Sequence, residues 1–324
     1  MIKRALCSLA AASLVLSGCG FFSAPDPTVP PVAQTQPGSA GSVLSIPTSA
    51  PLVGPLPGES KNIHLPSGRN FILHLPKDYS PQQKWPVVLA FHGWKEQAEA
   101  IEDYTQLNAA QAIMVYPQGV EGAWAPAPYA TTSGAEDVEF VTNIVDSVRA
   151  TYAVDDSRIH AVGMSNGGGF AVYLSCQIPE TFNSVASISA AYYDKIHESC
   201  ADTGVGRLDI HGTNDPVVSY YGGKRHETGY RSVDEILKRD QVRNGCQPDV
   251  EAVRLSSTSL RMRWLGCDSP LVHIRIGGGS HVWPGGTYDH SEELPPGFAT
   301  DAVLDFFGIP GRPAGTSDSA DALN

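Results

Sequence analysis

Several absences bound this 324-residue chain before any motif is read. It has no long membrane-spanning run: the apolar stretch Ala5–Leu16 is about a dozen residues, short of the roughly 20 that a spanning helix needs. Positive charge is scarce, with 22 Lys and Arg against 34 Asp and Glu, a net charge of −12, and no Lys/Arg cluster. That balance argues against nucleic-acid binding through a basic patch. No internal repeat or heptad pattern appears, and no C-x-x-C pair or histidine at ligand spacing accompanies the cysteines, so no metal site is expected.

What is present begins with an export signal. Lys3 and Arg4 precede the short apolar run, which ends in Leu16-Ser17-Gly18-Cys19. Small residues before a cysteine are the lipobox pattern of bacterial lipoproteins, so residues 1–18 read as a cleaved signal peptide and Cys19 as a lipidation site. The expected location is extracytoplasmic, anchored to the bacterial cell envelope through that lipid or, if the leader is an ordinary secretory signal, secreted. Residues 19–59 are rich in Pro, Ser, Thr and Gly and read as a disordered tether. Residues 310–324 read as a disordered tail. Between them, residues 60–309 form one domain of about 250 residues, enough for a single large core.

With Cys7 removed and Cys19 lipidated, Cys176, Cys200, Cys246 and Cys267 remain, and four cysteines allow three pairings. The sequence-local pairing, Cys176–Cys200 and Cys246–Cys267, is expected because each pair brackets a single loop or hairpin. An oxidising compartment favours such bridges.

Within the domain, apolar runs of strand length alternate with helical patterns. Trp85–Trp94 has a continuous apolar centre, as does Ala112–Gly119, and both read as strands buried on two faces. Asp137–Tyr152 places Val138, Val141, Ile144, Val145 and Val148 at helical spacing. Asn70–Pro76, "RIHAVGM", "FNSVASISA", "RLDIHG" and "LVHIRIGG" read as further strands, and "GGFAVYLSCQI" and "DAVLDFFG" as helices. The alternation predicts an α/β fold with a largely parallel sheet. Functional residues should then stand just beyond the carboxyl ends of strands.

The stretch "RIHAVGMSNGGGFAVYL" offers Ser165 among four glycines. It is not a phosphate loop: Gly163 and Gly168 have the spacing, but Gly169 occupies the lysine position, and Val172 occupies the last glycine position of a dinucleotide fingerprint. A strand, Gly163-Met164-Ser165-Asn166-Gly167 and a helix are the context of a nucleophile elbow, where only very small residues fit two places either side of the serine. A serine needs a base. His281, on the glycine loop "GGGSHVWPGG" directly after the last strand run, is the histidine at the correct sheet edge, whereas His273 lies inside that strand. Asp215 follows "RLDIHG" and is the expected orienting acid, giving the chain order Ser, Asp, His. The oxyanion hole is expected from the N–H groups of Asn166 and Trp94, with His92 and Gly93 shaping the latter's turn. Trp124, Trp283 and His92 are expected around the substrate, and Asp137 as a helix N-cap.

These motifs together ("FHGW", "YPQG", "EDVEFV", "VGMSNGGG", "HGTNDPVVSYYGG", "NGC", "GGGSHVWPGG") resemble the esterase family of poly(3-hydroxybutyrate) depolymerases and feruloyl and acetyl-xylan esterases. The resemblance runs from about Pro86 to Gly286. It implies an α/β-hydrolase fold, no cofactor and catalysis by Ser165, His281 and Asp215 on an ester substrate, with no obligate protein partner. It departs where the tryptophan usual before "NGC" is missing, and where Trp94 replaces a cysteine. With no second module for gripping an insoluble surface, a small aromatic, short-acyl or carbohydrate ester is expected ahead of a polymer. The rivals are a polyhydroxybutyrate depolymerase, an acyltransferase to a carbohydrate acceptor and a non-catalytic surface binding protein.

Overall fold

The computed structural model describes residues 52–291 and 294–311. The signal peptide, Cys19 and nearly all of the tether and tail lie outside the described residues. The last part of the expected tether is held against the domain: Leu52 N–H donates to Thr151 Oγ1 at 2.8 Å and Gly58 N–H to the Leu75 carbonyl at 2.9 Å.

Six parallel strands form the centre of a ten-stranded sheet. They are β3 (Trp85–Phe91), β4 (Ile113–Pro117), β5 (Val154–Met164), β6 (Ser184–Ile188), β7 (Gly206–Gly212) and β12 (Leu271–Ile276). The order is β1-β2-β4-β3-β5-β6-β7-β12-β11-β10. The flanking strands β1 (Ser60–His64), β2 (Asn70–His74), β10 (Val250–Arg254) and β11 (Ser259–Trp264) run antiparallel to their neighbours. Two short strands, β8 (Gly223–Arg225) and β9 (Thr228–Tyr230), form a separate hairpin.

The apolar runs are continuous because both sheet faces are covered. Val88 and Ala90 of β3 join a cluster with Ile101 of α1 (Ala98–Thr105) and Val303 of α5 (Phe298–Phe307). Val87, Leu89 and Phe91 point the other way, to Val141 and Ile144 of α2 (Gly134–Thr151) and Phe170 and Leu174 of α3 (Asn166–Gln177). Alternation with period two assigns successive residues to opposite faces. A further helix, α4 (Val233–Arg243), buries Val233, Ile236 and Leu237 with Leu271 of β12. Helix α2 starts earlier than its apolar spacing suggested, because Ser133 and Glu136 form a reciprocal capping box.

Asp137 is therefore not the N-cap. Its wholly buried carboxylate accepts from Arg69 Nη1 at 2.6 Å, Ala125 N–H at 2.9 Å and Thr132 Oγ1 at 2.8 Å, anchoring the loop before the helix. Both expected disulfides are formed, Cys176–Cys200 and Cys246–Cys267. The second brackets the β10–β11 hairpin; the first spans a full strand, β6, and not a single loop.

Candidate active site

Four loops meet at the carboxyl edge of the parallel strands, following β3, β5, β7 and β12, and each carries a residue singled out above. Ser165 directly follows β5 with φ 55° and ψ −117°, a conformation that is strained for a residue with a side chain. Steric crowding explains the glycines around it. A Cβ on Gly163 would lie 2.3 Å from the Gly167 backbone, and one on Gly167 would lie 2.0 Å from the Phe91 carbonyl oxygen. Gly168 and Gly169 press α3 against Ala190 and Ala191, where added Cβ atoms would meet neighbours at 2.8 and 2.3 Å.

Asp215 and His281 come together across 66 residues of chain, His281 Nδ1–H donating to Asp215 Oδ2 at 2.7 Å. The other carboxylate oxygen accepts the backbone N–H groups of Val217 and Val218, each at 2.8 Å. His211, inside the strand run "RLDIHG" that precedes Asp215, lies 3.4 Å from Asp215 Oδ2 and also bonds the Val218 carbonyl at 3.0 Å. Burial by itself would raise the Asp215 carboxyl. The hydrogen bonds from His211 and His281, the His281 charge and the Val218 N–H overcome that and hold it well below the usual carboxylate range. Ser165 stands at the neighbouring elbow, and its hydroxyl makes no hydrogen bond among the described residues.

The N–H groups of Trp94 and Asn166 likewise have no partner among the described residues. Asn166 opens α3, so its N–H has no preceding helical turn to bond. Its side chain is committed elsewhere: Oδ1 accepts Trp124 N–H at 2.8 Å and Nδ2 donates to the Trp124 carbonyl at 3.0 Å.

The structure removes two residues from the expected substrate surface. Trp124 is wholly buried, stacked on Phe170 with centroids 5.0 Å apart, and its indole N–H bonds the His92 carbonyl at 3.1 Å. It supports the two loops that carry Trp94 and Asn166. His92 is also wholly buried; Nδ1–H donates to the Gly93 carbonyl at 2.7 Å and Nε2 accepts Gly119 N–H at 3.0 Å. Desolvation lowers its pKa to about 4, so it is a neutral loop-shaping group. The Trp94 ring is stacked on Tyr129 at 4.4 Å, meets His226 edge-on at 4.8 Å and carries Lys95 Nζ 4.3 Å from its centroid. Trp283 does border open space: with Tyr104, Met164, His281 and Gly286 it lines a cavity of about 180 Å³. Its indole N–H is fixed on Thr300 Oγ1 at 3.0 Å.

A mostly parallel sheet between helices, with Ser165, Asp215 and His281 on the loops that follow β5, β7 and β12, defines an α/β-hydrolase fold. A solved acetyl xylan esterase from Aspergillus awamori has this fold, with a TM-score of 0.56 at 17% identity, covering 77% of this chain and 99% of that one. The chain belongs to the Esterase family ("Putative esterase"), whose model matches residues 64–240, and it is a carboxylic-ester hydrolase. Feruloyl esterase C of Emericella nidulans is 28% identical over 274 residues, 80% of this chain and 91% of that protein. The bifunctional acetylxylan esterase/xylanase of Neocallimastix patriciarum is 25% identical over 228 residues, 66% of this chain and 31% of that protein.

Proposed function

We propose that the chain is an extracytoplasmic serine esterase in which Ser165 is the nucleophile, His281 the base and Asp215 the acid, acting on esters of small acyl groups. The observation that carries this reading is the 2.7 Å His281–Asp215 pair on loops beside the strained elbow of Ser165. His281 Nε2 takes the proton as Ser165 Oγ bonds to the ester carbonyl carbon. The N–H groups of Trp94 and Asn166 receive the oxyanion. As the ester C–O bond breaks, His281 returns the proton to the departing alcohol. Water, deprotonated by the same histidine, then releases the acid and frees Ser165. Asp215 stays ionised throughout and holds the imidazole in the required tautomer.

The cavity beside His281 supports the acyl preference. At about 180 Å³ it falls below the roughly 300–1,000 Å³ of sites that engulf drug-sized ligands. The relatives' names, feruloyl esterase and acetylxylan esterase, support feruloyl and acetyl esters, the latter on xylan, as the natural substrate class. Two disulfides and the Cys19 lipobox support a position outside the cytoplasm, anchored by lipid. The test is a panel of p-nitrophenyl esters of rising acyl length, with methyl ferulate and acetylated xylan. Highest kcat/KM on acetyl esters is expected; a preference for long acyl chains contradicts the small-acyl reading.

A further inference from the structure

The loops of the site are joined unequally. The Asp215 and His281 loops are stitched by backbone: Thr213 N–H donates to the Ile276 carbonyl at 2.8 Å, and Asn214 N–H to the Gly279 carbonyl at 3.0 Å. Gly278 N–H adds a bond to Thr213 Oγ1 at 2.9 Å. Between the elbow region and the His281 loop, one hydrogen bond runs among the described residues, from Ser189 Oγ to the Val282 carbonyl at 3.0 Å.

Ser189 stands immediately after β6 and is buried, with φ 46°, in the left-handed region that favours glycine. Its backbone leaves it little freedom to do otherwise. The preceding carbonyl, of Ile188, accepts Ser165 N–H at 2.9 Å, and Ala191 N–H donates to the Ser165 carbonyl at 3.0 Å. Ser189's own N–H is tied to the Ile210 carbonyl at 2.9 Å. The segment thus grips the elbow with its backbone and reaches the histidine loop with its hydroxyl. On the far side, Val282 N–H closes a three-residue turn on the Ser280 carbonyl at 3.2 Å, with His281 at its centre. The Val282 peptide is then fixed on one side by that turn and on the other by Ser189.

Glycine would adopt this φ without strain, and alanine would fill nearly the same space, but neither can bond Val282. We propose that Ser189 is a positioning residue: its hydroxyl sets the reach and angle between His281 and the Ser165 hydroxyl. The proposal rests on Ser165 and His281 being nucleophile and base. Ser189 itself contacts no reacting atom. Strain retained at a buried non-glycine residue is accounted for if the side chain has a task that glycine cannot perform.

The experiment compares steady-state hydrolysis of p-nitrophenyl acetate and thermal melting for the wild type, Ser165→Ala, Ser189→Ala and Ser189→Gly. Both Ser189 variants should lose about tenfold to a hundredfold in kcat, the scale of a small misplacement of reacting groups, with KM within about twofold. Ser189→Gly should melt no lower than the wild type, since it relieves the strained φ. It also carries the test if Ser189→Ala does not fold. The Asp215–His281 proton resonance should be unchanged in both, because that pair is held by other bonds. A kcat within about twofold of wild type in Ser189→Gly, with Ser165→Ala inactive, overturns the proposal. So does a loss expressed in KM, or one that follows a lowered melting temperature in both variants. Full activity in Ser165→Ala overturns the nucleophile assignment instead.

Discussion

The elbow of Ser165 is fitted by glycines packed closely against neighbouring atoms, whereas Asp215 and His281 are set by hydrogen-bond donors and charges. A Cβ on Gly167 would sit 2.0 Å from the Phe91 carbonyl oxygen; the Asp215 carboxylate instead takes N–H groups from His281, Val217 and Val218. The first region is organised by excluded volume and the second by polar satisfaction. They should therefore fail in different ways when perturbed.

The largest effect is expected from charge. Asp215→Asn keeps the shape but can donate where it should accept, and should cost about 10³–10⁴-fold in kcat, as loss of the correct histidine tautomer does elsewhere. Circular dichroism should show a retained fold; a variant within about tenfold of wild type separates Asp215 from the chemistry.

Volume comes next. Trp124→Ala empties a wholly buried site and removes the bond to the His92 carbonyl, for an expected loss of about 3–5 kcal/mol in denaturant unfolding. If Trp124 were instead a substrate contact, KM would rise with stability intact. Gly167→Ala overpacks the elbow and should cost about 1–3 kcal/mol or more, with activity falling alongside stability.

Proton linkage gives a smaller, graded effect. Burial lowers His92 to about 4 and His160 to about 3. In the unfolded chain both bind protons near pH 6.5, so stability should fall as pH drops from about 6.5 toward 4. His211 works in the opposite sense: burial lowers its pKa, but Asp215 and Asp209 raise it overall, so its contribution is lost as pH rises. His160→Gln should flatten the acid-side slope of melting temperature against pH; an unchanged slope removes His160 as its cause. The smallest effect on turnover is expected from Cys246→Ser with Cys267→Ser. Opening this 21-residue loop should lower stability by about 2–4 kcal/mol and leave kcat within about twofold.

The same contrast explains what could be read from sequence. Trp85–Phe91 and Ile113–Pro117 are buried at every position, so their apolar runs announced the parallel centre. Strand β10 is exposed at all five residues and β11 only partly covered, and such an edge pair carries little alternation to detect. Ser165, Asp215 and His281 stood out as candidates because each follows a recognisable strand run. Their supports were not. Trp124 looked like a pocket aromatic because sequence does not separate a buried indole from an exposed one. His211 sits in its own strand, four positions before Asp215, and becomes its neighbour only through the turn after β7. Ser189 shows its character only in a dihedral angle. The buried charges of β7, where Arg207 lies 3.1 Å from Asp240 and Asp209 lies 2.8 Å from His273, appeared in sequence as interruptions of an apolar run.

The proposed chemistry stands or falls with Ser165 as the nucleophile. Incubating the full chain with a fluorophosphonate and mapping the adduct by peptide mass spectrometry tests it directly. A single adduct on Ser165 is expected, absent in Ser165→Ala and formed markedly more slowly in His281→Ala. No adduct on the wild type, or an adduct on another serine that persists in Ser165→Ala, would contradict it.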